Sequence, residues 1–323
     1  MGKLNEILLR GRVEREMMTS DISKMYNQLH LEDSALPYSL FLYHESMDEK
    51  VEPDTWVMTR AWYGVTSTGN QAGWAIEKTV EDKGEEYPLA AKTMKKGRYV
   101  DDLLVGTQNK KEMKELVEQC ANLLDHPGFK LKYVVLSGED PPKEASQDGE
   151  TVKILGYNWT PKKDELALGM GEVNFNKKIR GSKKPNPFKI NTAEDLKFMM
   201  NQVIFTKKTV ASKVAEIFDP IGLWEPLKLQ LKLDFSMLNG RTWESKLSES
   251  EKTQWMETFE KYIDLPTLRV SRCVIPEDAC SLDLRLVALA DAGEAAGGTV
   301  IYATYKRKNG EYSHSCLHQD QGC

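Results

Sequence analysis

The chain has 323 residues, 40% of them hydrophobic and 29% charged, with a formal net charge of −5 at pH 7. That length suits two or three domains, and the composition is that of a soluble globular protein able to bury a large core. The acidic balance excludes a uniformly basic nucleic-acid binder, so such a partner must be met by local patches. No apolar run approaches the length of a membrane span. Five scattered cysteines (Cys120, Cys273, Cys280, Cys316, Cys323) contain no Cys-x-x-Cys pair and fit reduced thiols better than a disulfide framework. The N-terminus, "MGKLNEILLRGRVERE", is charged throughout and is no signal peptide, so an intracellular location is expected.

In chain order, Leu4 to Arg15 predicts a helix with Leu4, Ile7, Leu8 and Val13 toward one face. "SDISKMYNQLHL" (20–31) follows. "SLFLY" (39–43) and "WVMTR" (56–60) predict strands, joined through the polar turn region "HESMDEKVEPDT". "GNQAGWAIEKTVEDKG" predicts a helix after a Gly/Ser/Thr-rich loop, and "RYVDDLLVG" a hairpin. "NKKEMKELVEQCANLLDHPGF" predicts an amphipathic helix: Met113, Leu116, Val117, Cys120, Leu123 and Leu124 keep helical spacing, and Pro127-Gly128 ends it.

Residues 137–150 form a polar loop rich in breakers, and "TVKILGYNWTPKKDELAL" predicts strand, Pro turn, strand. "NKKIRGSKKPNPFK" (176–189) carries six basic residues and no acid. "TVASKVAEIFDPIGLWEPLKLQLKLDFSML" predicts two helices broken at Asp219-Pro220, and Ser248-x-x-Glu251 is a capping-box pattern ahead of another helix. The tail predicts three strands, with Asn309-Gly310 as a hairpin turn. The change of character predicts a domain boundary near 265–280, and no internal repeat is present.

The pair Asp101-Asp102 stands inside an apolar run, where two adjacent like charges demand a reason. Either the pair is a solvated hairpin tip, or it binds something strongly positive. Neighbouring strand residues point to opposite faces, so only one of the pair can face a given site squarely. A second carboxylate is then needed, and Asp21 is the candidate, lying where a strand could pass into a helix. Carboxylates from separate strands suit Mg²⁺, which takes oxygen ligands and substrate phosphates. The plainer alternative makes Asp21 an N-cap and Asp101-Asp102 an ordinary turn.

Tyr-Val-Asp-Asp between apolar flanks resembles the catalytic hairpin of reverse transcriptases, and further segments stand in the matching order. "SDISKMYNQLHL" resembles the first catalytic strand of that family, "WYGVTSTGNQAGWAI" the loop and helix that cradle template and incoming nucleotide, and "ILGYNWTPKKDEL" the primer-grip hairpin. "SKVAEIFDPIGLWEPLKLQLKL" resembles a segment of the BEL/Pao LTR retrotransposons, and "LALADAGEAAGGTVIY" the opening strand of the RNase H domain that follows the polymerase. The resemblance covers nearly the whole chain. It implies an α/β (α+β) fold: a palm with an antiparallel sheet backed by helices over 1–136, a primer-grip, thumb and connection region over 137–265, and an RNase H-like start over 266–323.

The resemblance also implies a function, RNA-directed DNA synthesis by two-metal nucleotidyl transfer to a primer 3′-hydroxyl. Asp21 and Asp101 would bind two Mg²⁺ ions, with Mn²⁺ as a possible substitute, and Asp102 would contribute charge and hold the turn. The partners implied are an RNA/DNA template–primer duplex and dNTPs, with no membrane. Tyr26 stands where the family places an aromatic that excludes a 2′-hydroxyl, or it is a plain core tyrosine. Gln71 matches the region contacting the incoming nucleotide, or it is a helix-face amide. Gly64 and Gly69 would let backbone approach the nucleotide. The basic stretches 92–98 and 177–189 would neutralise duplex phosphates, or they are solvated loops. Trp159, Trp224 and Trp243 are expected in the core.

The match departs from the family in several places. The segment that precedes Asp21 in the family, which forms much of the fingers, is not present in this sequence. Of the RNase H carboxylates only the first, Asp291, is matched, so that activity is expected to be absent. The Asp-Ser/Thr-Gly signature of an aspartic peptidase does not occur, Asp33-Ser34-Ala35 being a near miss. No zinc-finger or integrase signature is present. Two readings follow: a partial polymerase core that keeps its carboxylates, or a non-catalytic relic of a mobile element acting at most as an interaction module.

Overall fold

The computed structural model describes residues 2–46, 51–169, 194–195, 198, 204–262, 265–280 and 284–322. The basic run 176–189 and Cys323 lie outside the described residues. The fold is α+β, built of helices and antiparallel sheets. The chain divides into two compact units. One holds Met1–Lys3 and Glu16–Leu136, the other Leu4–Arg15 and Ser137–Cys323.

The first unit is built on a four-stranded sheet. Its strands are β1 (Glu16–Ile22), β4 (Arg98–Tyr99), β5 (Asp102–Thr107) and β6 (Leu131–Leu136), in the order β4-β5-β1-β6 with every pairing antiparallel. Helices α2 (Thr68–Lys83), α3 (Pro88–Lys96) and α4 (Lys110–Asp125) share a core with it. α4 shows why. Asn109 caps it, its Oδ1 accepting from Glu112 N at 3.0 Å. Met113, Leu116, Cys120, Leu123 and Leu124 are buried against Met18, Ile22 and Leu103 of the sheet. Each large side chain so buried contributes about 1.5–3 kcal/mol. Burial also pushes the Cys120 thiol up to about 12, which makes it an inert core residue. The pair β2 (Leu40–Tyr43) and β3 (Asp54–Val57) is exposed along its whole length, with Tyr43 edge-on to Trp56.

The second unit holds two sheets. In the first, "TVKILGYNWTPKKDELAL" makes three strands, not two: β7 (Val152–Ile154), β8 (Tyr157–Thr160) and β9 (Glu165–Leu168). The chain reverses at Leu155-Gly156, both at positive φ, before the proline turn reverses it again. Strand β10 (Val270–Ser271) adds beside β9. This short strand lies inside the stretch 265–280, which sequence composition reads as a boundary. The second sheet is β11 (Arg285–Ala292), β12 (Gly297–Lys306) and β13 (Tyr312–Gly322), turning at Asn309-Gly310 as its sequence predicts.

Helices α5 (Lys207–Glu216) and α6 (Glu225–Ser236) are separated at Asp219-Pro220. Asp219 organises the break. Its carboxylate accepts from Leu223 N and Trp224 N at 3.0 and 2.8 Å, and from the Tyr157 hydroxyl at 2.5 Å. Gly222 closes the turn at φ 69°, with no room for a side chain: a Cβ there would overlap the Gln319 carbonyl. Trp159 and Trp224 are core residues as expected, but Trp243 is 57% exposed, with Lys207 Nζ 5.2 Å over its ring. The capping box forms ahead of α7 (Glu249–Glu260), Ser248 and Glu251 bonding each other's backbone N–H. Ser248→Ala should cost about 1 kcal/mol in urea denaturation.

The N-terminal helix α1 (Leu4–Val13) groups with the second unit, although sequence reading places it with residues 1–136. The reason is a pair of buried guanidiniums. Arg272, 1% exposed, donates to the carbonyls of Glu14 and Arg15 at 2.6 and 2.8 Å and also to Gly11 O, satisfying the C-terminal end of α1. It pairs bidentately with Asp164, whose Oδ1 also accepts from Trp159 Nε1. Arg12 answers by donating to the carbonyls of Arg272, Ser271 and Leu317.

Candidate functional site: a carboxylate corner

The register of β1 on β5 places Asp21 directly opposite Asp102, at the end of the sheet where the hairpin turns. Asp101 stands in the two-residue turn between Tyr99 and Asp102, and its carbonyl accepts from Ile22 N at 2.9 Å. Alternation along a strand predicts that only one of Asp101 and Asp102 could face Asp21. Because Asp101 sits in the turn and not on the strand, that rule does not separate them. The three carboxylates interact. Asp102 is pushed up to about 6, first by burial and then by the charges of Asp101 and Asp21. Asp21 is raised as well, by burial, by the Asp101 charge and by a side-chain hydrogen bond with Asp101, against the lowering influence of Lys132. Tyr133 is raised by burial and by all three acids. The plainer alternative, Asp21 as a helix N-cap, fails on position, since Asp21 lies within β1 and the turn Met25–Gln28 begins later.

Lys132 and Tyr133 also border the corner, and sequence reading missed them. Both lie on β6, which pairs with β1, and Lys132 Nζ is 3.4 Å from Asp21 Oδ2. The signal was available: "LKYVVL" is a β-branched run behind a Pro-Gly helix stop. The sheet fixes the corner through side chains as well, Thr19 donating to Leu103 O at 3.0 Å and Ser20 to Tyr133 O.

The remaining candidates are spread out. Tyr26 follows β1 in the short turn Met25–Gln28, packs against the core, and lies 5.4 Å centroid to centroid from the exposed Tyr63. A Cβ on Gly69 would stand 3.4 Å from its hydroxyl, so the start of α2 passes close to Tyr26. Gln71 is exposed on the first turn of α2, its amide 3.4 Å from Ser67 Oγ. Gly64 has φ 99° and open space about it. In the basic stretch 92–98, Lys92, Lys95 and Lys96 are exposed, but Arg98 is 1% exposed and belongs to no surface patch. Asp291 lies in the other unit, at the end of the exposed strand β11. It lines a concavity with Gly297, Gly298 and Asp320, and its own Oδ1 accepts from Ala292 N.

Among the described residues, no three His, Cys, Asp or Glu side chains form a group that could by itself hold a metal ion. The corner thus offers a partial set of hard oxygen donors and leaves the remaining positions to water or phosphate, which is how Mg²⁺ is usually bound. Burial is the larger cause of the upward shifts at Asp21 and Asp102, and repulsion among the acids adds to it; a divalent cation would relieve that second part. No helix among the described residues is long and apolar enough to cross a membrane.

Compared with known proteins, residues 206–318 match the family model described as the Pao retrotransposon-like RNaseH-like domain. The matched stretch runs from the start of α5, through the Asp219 turn and α6, into β13. No curated protein matches the chain.

Proposed function

We propose that the first unit is the palm of an RNA-directed DNA polymerase from a Pao-type retrotransposon polyprotein, lying ahead of the RNase H-like region. The observation that supports this reading is the carboxylate corner: Asp21 in register with Asp102 at a sheet end, with Asp101 in the turn between them and the neighbouring strand. Asp21 and Asp101 would hold divalent ions, and Asp102 would add charge. When bound, such ions activate a primer 3′-hydroxyl and neutralise the triphosphate leaving group. The chain's own residues supply position. β1 and β5 fix the acids on paired strands, Tyr26 would form the floor beneath the deoxyribose, and Gln71 with the first turn of α2 would face the incoming nucleotide. Template–primer and dNTPs are the partners in this reading.

The opposing reading, a non-catalytic relic, is favoured by one observation, the ammonium of Lys132 resting on Asp21. Primer extension separates the two. The purified chain, given an RNA template, a DNA primer, dNTPs and Mg²⁺, should extend the primer and stop on addition of EDTA. No extension at any protein concentration would overturn the polymerase reading.

A further inference from the structure

Arg98 poses a question that the basic-patch reading of residues 92–98 conceals. Its guanidinium is 1% exposed, yet Nε and Nη2 are buried without a hydrogen-bond partner among the described residues. Burying a charge so sparsely bonded is costly unless the bonds it does make serve a purpose. It makes one hydrogen bond, Nη1 to the carbonyl of Val100 at 3.0 Å. Val100 is the first residue of the turn that carries Asp101, and its φ is 56°. A β-branched residue in the left-handed region is strained and persists only where its surroundings hold it. Glu77 of α2 provides the counter-charge, its Oε1 lying 3.7 Å from Nη2. Gly73 of the same helix also borders the guanidinium: a Cβ there would stand 3.7 Å from Nη2, in ordinary contact.

We propose that Arg98 is the positioning residue of the carboxylate corner, clamping the Val100 carbonyl so that the turn stays left-handed and Asp101 stays beside Asp21. Glu77 extends the clamp to α2, the helix that carries Gln71, so that helix and carboxylate turn are mechanically joined. The inference rests on the reading of the corner as a cation site, but its tests do not depend on polymerase activity.

The experiment compares Arg98→Met, Glu77→Gln and the double variant Arg98→Met/Val100→Gly with the unmodified chain. One readout is Mn²⁺ affinity by calorimetry; the other is the amide–Hα coupling and chemical shifts of residue 100 by NMR. Arg98→Met should weaken Mn²⁺ binding at least ten-fold and move Val100 out of the left-handed region. Glu77→Gln, a change at a half-exposed side chain, should weaken binding about three-fold with the fold intact. Glycine takes positive φ without strain, so Val100→Gly in the Arg98→Met background should restore most of the affinity. A purely structural role for Arg98 would not be rescued at residue 100. Unchanged Val100 φ and Mn²⁺ affinity in both Arg98→Met and Glu77→Gln would overturn the proposal. If Arg98→Met fails to fold, Glu77→Gln and Val100→Gly alone decide: an unaltered affinity in the first, or a weakened one in the second, would count against it. Mn²⁺ bound by the unmodified chain without primer extension would overturn the polymerase reading and leave the clamp standing. Absence of Mn²⁺ binding would remove the cation site, and with it the inference.

Discussion

Asp102→Asn is expected to reduce Mg²⁺-dependent primer extension at least 10²-fold and, in the same protein, to raise the stability of the metal-free fold. The two effects have one cause. Asp102 titrates near 6 in the folded chain because burial and the charges of Asp101 and Asp21 oppose its ionisation. An unfolded chain would titrate it near the ordinary carboxylate value, so between about pH 4 and pH 6 the folded state binds the proton more tightly. The ionised group therefore works against folding above pH 6, and that penalty disappears as the pH falls below 4. Asparagine keeps the size and removes the charge. In EDTA, urea denaturation at pH 8 should show Asp102→Asn more stable than the unmodified chain by about 1–2 kcal/mol, allowing for solvent screening. At pH 4 the two should coincide. A stability gain that persisted unchanged at pH 4 would mean that repulsion among the acids is not its source.

Arg272→Met is expected to be the most destabilising single change, at about 3–5 kcal/mol. The replacement leaves Asp164 without its bidentate partner and removes the bonds that Arg272 donates to the carbonyls of Gly11, Glu14 and Arg15. Trp159 also loses order, since its indole N–H shares the Asp164 carboxylate. Urea denaturation measures the total, and hydrogen exchange should localise it, with the amides of α1 losing protection first. Adding Asp164→Asn should recover part of the loss, because it removes the unpaired charge, keeps an acceptor for the Trp159 indole and suits the left-handed φ of 55°. A loss below 1 kcal/mol for Arg272→Met would show that water replaces the guanidinium at little cost.

Features carried by neighbouring residues were legible in the sequence. The stripe on α4, the capping box at Ser248, the break at Asp219-Pro220 and the Asn309-Gly310 turn each depend on spacing within one element, and each forms. The Asp101-Asp102 pair stands out against its own apolar flanks, and Asp21, which the sheet sets opposite Asp102, was singled out by the patterned stretch that follows it. What was not legible needed a distant partner. Nothing near Arg12 or Arg272 announces that they meet, and Arg98 is indistinguishable in sequence from its exposed lysine neighbours until the sheet forms over it. Lys132 becomes a site residue only through the pairing of β6 with β1. The split at Leu155-Gly156 escaped because leucine at φ 45° violates the preference that turn reading relies on.

The docking of α1 has a consequence for synthesis. Its partners come far behind it in the chain, Arg272 following Gly11 by 261 residues and Arg15 by 257. At about 5–20 residues per second, tens of seconds separate the helix from the guanidinium that satisfies its last carbonyls. Over that interval the residues 16–136 can complete their own sheet, because β1 opens that stretch, β6 closes it, and the two pair side by side. The second unit must instead wait for both halves of its sequence. Leu9 and Val13, which pack against Val274, Ala303 and Leu317, stay uncovered for that time, so the ribosome-bound chain should depend on a holdase more than its finished fold suggests.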